Sequence, residues 1–239
     1  MRTIRSCAAG QEALCQHDEV NDLRDYEDWH RHYEDPGSDL SWRLAQVREY
    51  VQEAFDRHPG QIRALNVCAG DGRDVLGVLA ERADADRVST VLLELHPALA
   101  QLARDAAISA QLPDVEVRML DAGVSNAYLG AVPADVVLLV GIFGNIRDED
   151  LWRLVAFAPQ LCRPGATLIW SRGRSFSRAL PGVTEDLNDE LRGQFAATGF
   201  TETAYVTRDT GSRPALGVVR YSGEPVDLAL EHQLFSFVR

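Results

Sequence analysis

The sequence predicts an α/β fold, a doubly wound and mostly parallel sheet with an antiparallel late strand, preceded by an N-terminal helical cap. Two observations carry that reading. Short apolar runs alternate with helical periods from residue 64 to residue 197, the pattern of successive βαβ units. After Gly199-Phe200 come three more strand-like runs, Thr203–Thr207, Leu216–Tyr221 and Leu234–Val238. No helix between them is long enough for a parallel crossover, so at least one late pair is antiparallel. A chain of 239 residues, 46% of them hydrophobic, suffices for one such domain with a small extension.

Taken in order, residues 1–20 are polar without a clear period and read as a loosely docked leader. Tyr26, Trp29, His30 and Tyr33 then cluster ahead of the turn Asp35-Pro36-Gly37-Ser38. Leu40, Leu44, Val47, Val51 and Phe55 recur at helical spacing, and Pro59-Gly60 closes that helix. The boundary is therefore drawn between a leader and cap, 1–58, and a sheet domain, 59–239. Within the sheet domain a strand opens at residue 64. The spacing then predicts helix 74–82, strand 89–94, helix 97–110, strand 115–120, strand 135–140, helix 148–160, strand 166–171 and helix 184–197.

Composition excludes several classes. A net charge of −12 opposes binding to nucleic acid through a broad basic face, since phosphate contacts supply most of such affinity. All 24 basic residues are arginine, which removes Schiff-base and lysine general-base chemistry. No apolar run approaches the roughly 20 residues that span a membrane, and Arg2 and Arg5 are not followed by the apolar core of a secretion signal. A cytoplasmic protein acting on small molecules is expected. Cys7, Cys15, Cys68 and Cys162 show no metal-ligand spacing, and disulfides are not expected.

The most informative segment is 64–80, an apolar strand, a turn through Cys68-Ala69-Gly70-Asp71-Gly72, and a helix. Gly70 and Gly72 lack Cβ, so backbone there can approach a ligand at the N-terminus of the next helix. One βαβ unit later the strand Val91-Leu92-Leu93 ends in Glu94-Leu95-His96, where a carboxylate can accept from both hydroxyls of a ribose. An adenosine-containing cofactor follows. Nicotinamide enzymes place a third glycine where this chain has Val75. A further strand ends in Asp121-Ala122, where a carboxylate can take the amine of adenine, and the fourth ends in Gly141-Ile142-Phe143-Gly144-Asn145.

From about residue 60 onward this series resembles the class I S-adenosylmethionine-dependent methyltransferases. Their first motif runs acidic-x-Gly-x-Gly-x-Gly, and their second and third strands end in acidic residues. The resemblance implies a seven-stranded Rossmann-like sheet and S-adenosyl-L-methionine as cofactor, bound by Asn66, Cys68, Ala69, Gly70, Asp71, Gly72, Asp74, Glu94, Leu95, His96, Asp121, Ala122, Gly141 and Ile142. Two positions depart from the motif: Asn66 stands for the acidic residue and Cys68 for the first glycine. Asn66 can order the turn by hydrogen bonding, and Cys68 fits if its φ is negative. Asp71 or Asp74 then becomes the partner of the methionine ammonium, although a turn dipeptide and a helix N-terminus also explain them.

The resemblance further implies in-line methyl transfer to an oxygen or nitrogen of a small molecule, such as a specialised metabolite. No carboxylate ends the fourth strand, so metal-independent chemistry is expected. Residues after the fourth strand usually line the reaction centre in this family, which makes Phe143 and Asn145 the substrate-side candidates; Asn145 either orients a nucleophile or caps the helix near Asp148. If a base exists, Trp29-His30-Arg31-His32-Tyr33 supplies an imidazole from His30 or His32, with Trp29 and Tyr33 over the substrate; a solvated helix face is the plain alternative. Arg172 and Arg174 either pair with a substrate carboxylate or phosphate or balance surface charge. Two rivals stand beside methyl transfer: a same-fold enzyme using the cofactor differently, as in aminopropyl transfer, and a non-catalytic binding protein with a degenerate site.

Overall fold

The computed structural model describes residues 33–174 and 186–238. Helix α1 (Asp39–Arg57) starts where Ser38 caps it, the hydroxyl accepting from the Ser41 N–H at 3.0 Å. Strand β1 (Ile62–Val67) leads into α2 (Arg73–Ala80), then β2 (Val88–Leu93), α3 (Pro97–Ser109), β3 (Val115–Arg118), β4 (Ala134–Leu139) and α4 (Asp148–Phe157). A long β5 (Cys162–Gly173) follows, then α5 (Asn188–Ala197), β6 (Phe200–Thr207) and β7 (Pro214–Tyr221). The strands form one seven-stranded sheet in the order β3-β2-β1-β4-β5-β7-β6. The first five pair in parallel, whereas β7 runs antiparallel between β5 and β6. The doubly wound sheet with a reversed late strand is thus present as expected.

Strands in the middle of such a sheet are covered on both faces, and β4 is buried at all six positions. One face carries α1 to α3. The apolar stripe of α1, Val47, Val51, Ala54 and Phe55, packs with Ala64, Val136, Leu138, Ile169, Leu216 and Val218, so this helix shares a core with four strands of the sheet rather than standing apart from it. Each of the valine, leucine, isoleucine and phenylalanine side chains among them contributes about 2 kcal/mol by leaving water. The opposite face carries α4 and α5, with Leu151, Leu154, Val155, Leu191 and Phe195 against Val137, Leu139, Leu168 and Trp170. Trp170 stacks on Phe195 at 5.9 Å, and Gly217, its partner across the β5–β7 ladder, leaves room for the indole where a Cβ would collide.

The expected strand Leu234–Val238 does not form. That segment instead runs back across the molecule, touching it through single antiparallel bridges, Val124 with Gln233 and Ile146 with Phe237. Leu234 N–H donates to Gly123 O at 2.7 Å and Val238 N–H to Asn145 O at 2.9 Å. Its partners are loop residues at the carboxyl ends of strands and not a strand edge, so no ladder can propagate.

Candidate active site

At the carboxyl ends of β1 to β4 lies a cavity of about 480 Å³. Its floor is the turn after β1. Cys68 takes φ +55, contrary to the negative value expected for a glycine replacement, followed by Gly70 at +60 and Gly72 at +71. A left-handed cysteine costs about 1 kcal/mol, held in place here because Ala69 N–H donates to Leu93 O and Gly72 N–H to Ala69 O, both at 2.9 Å. An added Cβ at Gly70 meets nothing, so that backbone faces open space. One at Gly72 would come within 2.8 Å of Leu92 and 2.9 Å of Leu76. Gly70 is therefore the position of approach, and Gly72 the position of helix packing.

Glu94 joins the turn to the second strand. One carboxylate oxygen accepts from Gly70 N–H at 2.7 Å and the other from His96 N–H at 2.8 Å. Glu94, Leu95 and His96 all line the cavity, as do Cys68, Ala69, Asp71, Asp74, Asp121, Ala122 and Gly141. Asp121 accepts from Gly123 N–H at 2.8 Å, which fixes the loop after β3.

Other expected contacts lie elsewhere. Asn66 is buried behind the turn, where its Nδ2 donates to Asp74 Oδ1 at 2.8 Å. It orders the turn and does not line the cavity, and Gly72 does not either. The Asp74 carboxyl also accepts from Val75 N–H at 2.9 Å. Burial raises its pKa above the ordinary carboxylate value, an effect the Asp71 charge reinforces and the Val75 N–H and Arg43 oppose. Asp71 pairs with Arg73, whose guanidinium also covers the Tyr33 ring at 4.2 Å. Cys68 is inert as a nucleophile, because burial and the Glu94 and Asp121 charges push its thiol far up.

Beyond β4 the chain turns sharply at Gly141, φ +78, and the alternation of the strand is lost. Ile142 and Phe143 point into the core rather than toward a ligand; Phe143 packs 6.2 Å from Trp170 and 6.3 Å from Phe195. Asn145 neither caps α4, whose N-cap is Arg147, nor points freely outward. Its Nδ2 donates to Gly141 O at 2.7 Å and closes the loop.

A second, smaller cavity of about 180 Å³ adjoins the first, sharing Arg43 and Gly141 with it. Asn145, Ser171 and Arg172 line this one. Arg174 reaches neither cavity, being paired with Asp209 and donating to Arg208 O at 3.0 Å. Trp29, His30 and His32 lie outside the described residues, while Tyr33 borders the larger cavity and accepts from Arg43 Nη2 at 3.0 Å. Burial raises the Tyr33 pKa, against the opposing pull of Arg43. Sequence reasoning missed Arg43 and Phe237, both of which line the larger cavity. Arg43 follows the apolar periodicity of α1 only as its polar neighbour, and Phe237 sits in a tail whose docking no local pattern announces.

No protein-family model and no curated protein sequence matches the chain. Solved structures do. Magnesium protoporphyrin IX methyltransferase from Synechocystis PCC 6803, with bound S-adenosylmethionine, superposes with a TM-score of 0.62 at 13% identity, covering 83% of this chain and 91% of that one. The 1,6-didemethyltoxoflavin-N1-methyltransferase of Burkholderia thailandensis, with bound 1,6-didemethyltoxoflavin and S-adenosylhomocysteine, gives 0.58 at 16%, covering 93% and 94%. An O-methyltransferase family protein of the same organism gives 0.55 at 20%, covering 75% of this chain. The chain spans 57% of that last protein's length and 54% of the length of a CurJ carbon methyltransferase it also resembles. At such identities the likeness is one of architecture: this chain is built on the fold of the class I S-adenosylmethionine-dependent methyltransferases.

Proposed function

We propose that this protein is an S-adenosylmethionine-dependent methyltransferase acting on an oxygen or nitrogen of a small molecule. The observation that carries the reading is Glu94. Its two oxygens each take one backbone N–H, from Gly70 and His96, at the wall of the larger cavity. Each oxygen keeps a further acceptor site, matching the two hydroxyls of a ribose. The rest of the cavity fits the same cofactor. Its volume lies in the range of small-molecule sites. Leu95, Pro97 and Leu120 offer apolar walls to a purine, and Asp121 a carboxylate for its amine. Asp71 and Asp74 offer carboxylates for an ammonium.

Bound there, S-adenosylmethionine supplies a sulfonium methyl group transferable by in-line displacement to a lone pair of the acceptor. The chain's own part is placement and exclusion of water. Gly70 brings backbone against the ligand, and Gly141 forms the shared wall between the two cavities, so ligands in both would meet there. The amide of Asn145, committed to Gly141 O, holds that wall in position and transfers no proton. Calorimetric titration with S-adenosylmethionine, S-adenosylhomocysteine and NAD tests the reading. Binding of the first two at about micromolar affinity with none of NAD is the expected result; NAD binding, or binding of none of the three, overturns it.

A further inference from the structure

We infer that Arg43 binds the carboxylate at the amino-acid end of the cofactor, and that it thereby selects S-adenosylmethionine over the decarboxylated form that aminopropyl transfer would use. The inference rests on the methyltransferase reading and concerns which form of the cofactor that site admits.

Sheet order supplies the first argument. The larger cavity runs along the carboxyl ends of strands that neighbour one another as β3-β2-β1-β4, so the residues on its wall follow in the same sequence. Asp121 comes after β3, Glu94 after β2, Asp71 and Asp74 after β1, and Gly141 after β4. A nucleoside with its purine at Asp121 and its ribose at Glu94 therefore directs its 5′ substituent toward the turn after β1 and toward Gly141. Arg43 reaches in from α1 at that end: a Cβ placed on Gly141 would lie 3.7 Å from its Nη1. Burial raises the Asp74 pKa and Arg43 opposes that rise, so the two charges stand within electrostatic reach of each other.

Charge is the second argument. An amino-acid end carries an ammonium and a carboxylate, so a site for it needs groups of both signs. Asp71 and Asp74 offer the negative ones. Two guanidinium groups line the cavity, those of Arg43 and Arg73, and Arg73 is already paired with Asp71. Arg43 is half-buried, and its Nη2 donates to the neutral Tyr33 hydroxyl at 3.0 Å. It forms no ion pair with a carboxylate among the described residues. Most of its planar fork of donors is thus left for a ligand, and that fork matches a carboxylate. Decarboxylation keeps the ammonium and puts hydrogen where the carboxylate was, so the decarboxylated ligand brings Arg43 no anion.

Three ligands test the inference by calorimetry: S-adenosylhomocysteine, its decarboxylated counterpart, which keeps the ammonium, and 5′-methylthioadenosine, which lacks the amino-acid end. The wild type is expected to bind S-adenosylhomocysteine at least about tenfold more tightly than the decarboxylated ligand, the margin of a charge-assisted hydrogen bond. In Arg43→Gln that ratio should fall to about twofold or less, while 5′-methylthioadenosine keeps its affinity and so reports an intact nucleoside site. Arg43→Lys, which keeps the charge without the fork, should fall between the two. Equal binding of the two amine-bearing ligands by the wild type, or a ratio undiminished in Arg43→Gln, overturns the inference. Tighter binding of the decarboxylated ligand also overturns it, in favour of aminopropyl transfer. Should Arg43→Gln bind none of the three, Arg43→Lys decides: a ratio equal to that of the wild type overturns the inference, and a lower one supports it. A wild type that binds no nucleoside fails the methyltransferase reading and this inference with it, whereas nucleoside binding indifferent to the carboxylate fails this inference alone.

Discussion

The two cavities that meet at Gly141 are built in opposite ways. The larger is made of turns that follow consecutive parallel strands, and its chemistry is carboxylate and backbone: Gly70, Asp71, Asp74, Glu94, Asp121. The smaller is assembled at the antiparallel end of the sheet from α1, the exit of β4, and the facing ends of β5 and β7, and its polar groups are the guanidiniums of Arg43 and Arg172, the hydroxyls of Ser171 and Ser212, the amide of Asn145 and the single carboxylate of Asp39. The first depends on local chain geometry that tolerates little change. The second depends on side chains brought from distant segments, each replaceable without disturbing the turn after β1. A protein arranged so can keep one ligand constant and vary the other.

The largest blow to the first region should come from Glu94→Ala. It removes the acceptor proposed for the ribose and leaves the N–H groups of Gly70 and His96 without their partner. A loss of about 3 kcal/mol, more than a hundredfold in the dissociation constant for S-adenosylhomocysteine, is expected by calorimetry. Next in size is Gly72→Ala. The left-handed φ of +71 and the approach to Leu92 and Leu76 together should cost about 2 kcal/mol of stability, a fall of roughly 4–8 °C in Tm. Gly70→Ala, at nearly the same φ but with open space around it, should show a smaller fall in Tm.

The same contrast explains what the sequence disclosed. The turn after β1, Glu94 and Asp121 were legible because each lies within a few residues of a strand end, where position along the chain determines position in space. The role of Asn66 as an organiser of the turn was legible too, since its side chain reaches only eight residues along, to Asp74. The direction of Ile142 and Phe143 was not. β4 is buried on both faces, so no alternation marks which side chain points where, and the left-handed Gly141 then resets the chain direction. Arg43, Ser171 and Ser212 meet only through tertiary packing of α1 on the β5–β7 end of the sheet, which no local pattern encodes. Phe237 escaped for the same reason, its segment reading as a strand while its actual partners are loops.

A smaller effect tests whether that tail belongs to the first region. Phe237 packs edge-on against Phe235 at 5.7 Å and is 46% exposed, with part of its ring on the wall of the larger cavity. Phe237→Ala should weaken S-adenosylhomocysteine by about 1 kcal/mol, near fivefold, with Tm almost unchanged. Phe235, 2% exposed in the core, should behave oppositely: Phe235→Ala costs about 3 kcal/mol of stability. If Phe237→Ala left the affinity unaltered, the tail would be a covering of the fold and no part of the site.

The smallest expected effect concerns Asp74, and it distinguishes structural from ligand-facing carboxylates within one turn. Burial raises its pKa in the folded protein, so between the unfolded value of about 3.9 and the higher folded value the native state holds a proton that the unfolded chain has released. Stability from this group is therefore fully present below about pH 3.9 and is lost as pH rises through the folded pKa. Asp74→Asn keeps an oxygen to accept from Asn66 Nδ2 and Val75 N–H but cannot ionise. Measured by thermal unfolding across pH 3.5 to 7, the variant should gain on the wild type as pH rises, because it escapes the cost of a charged carboxyl in a dry turn. A ligand-facing role predicts the reverse sign for binding: an ammonium arriving beside Asp74 favours the charged form, so the same substitution should weaken S-adenosylmethionine while stabilising the free protein at neutral pH. A variant that loses stability at pH 7 and keeps its affinity would place the ammonium with Asp71 instead, and would leave Asp74 as a carboxyl whose work is to hold Asn66 and the first turn of α2 together.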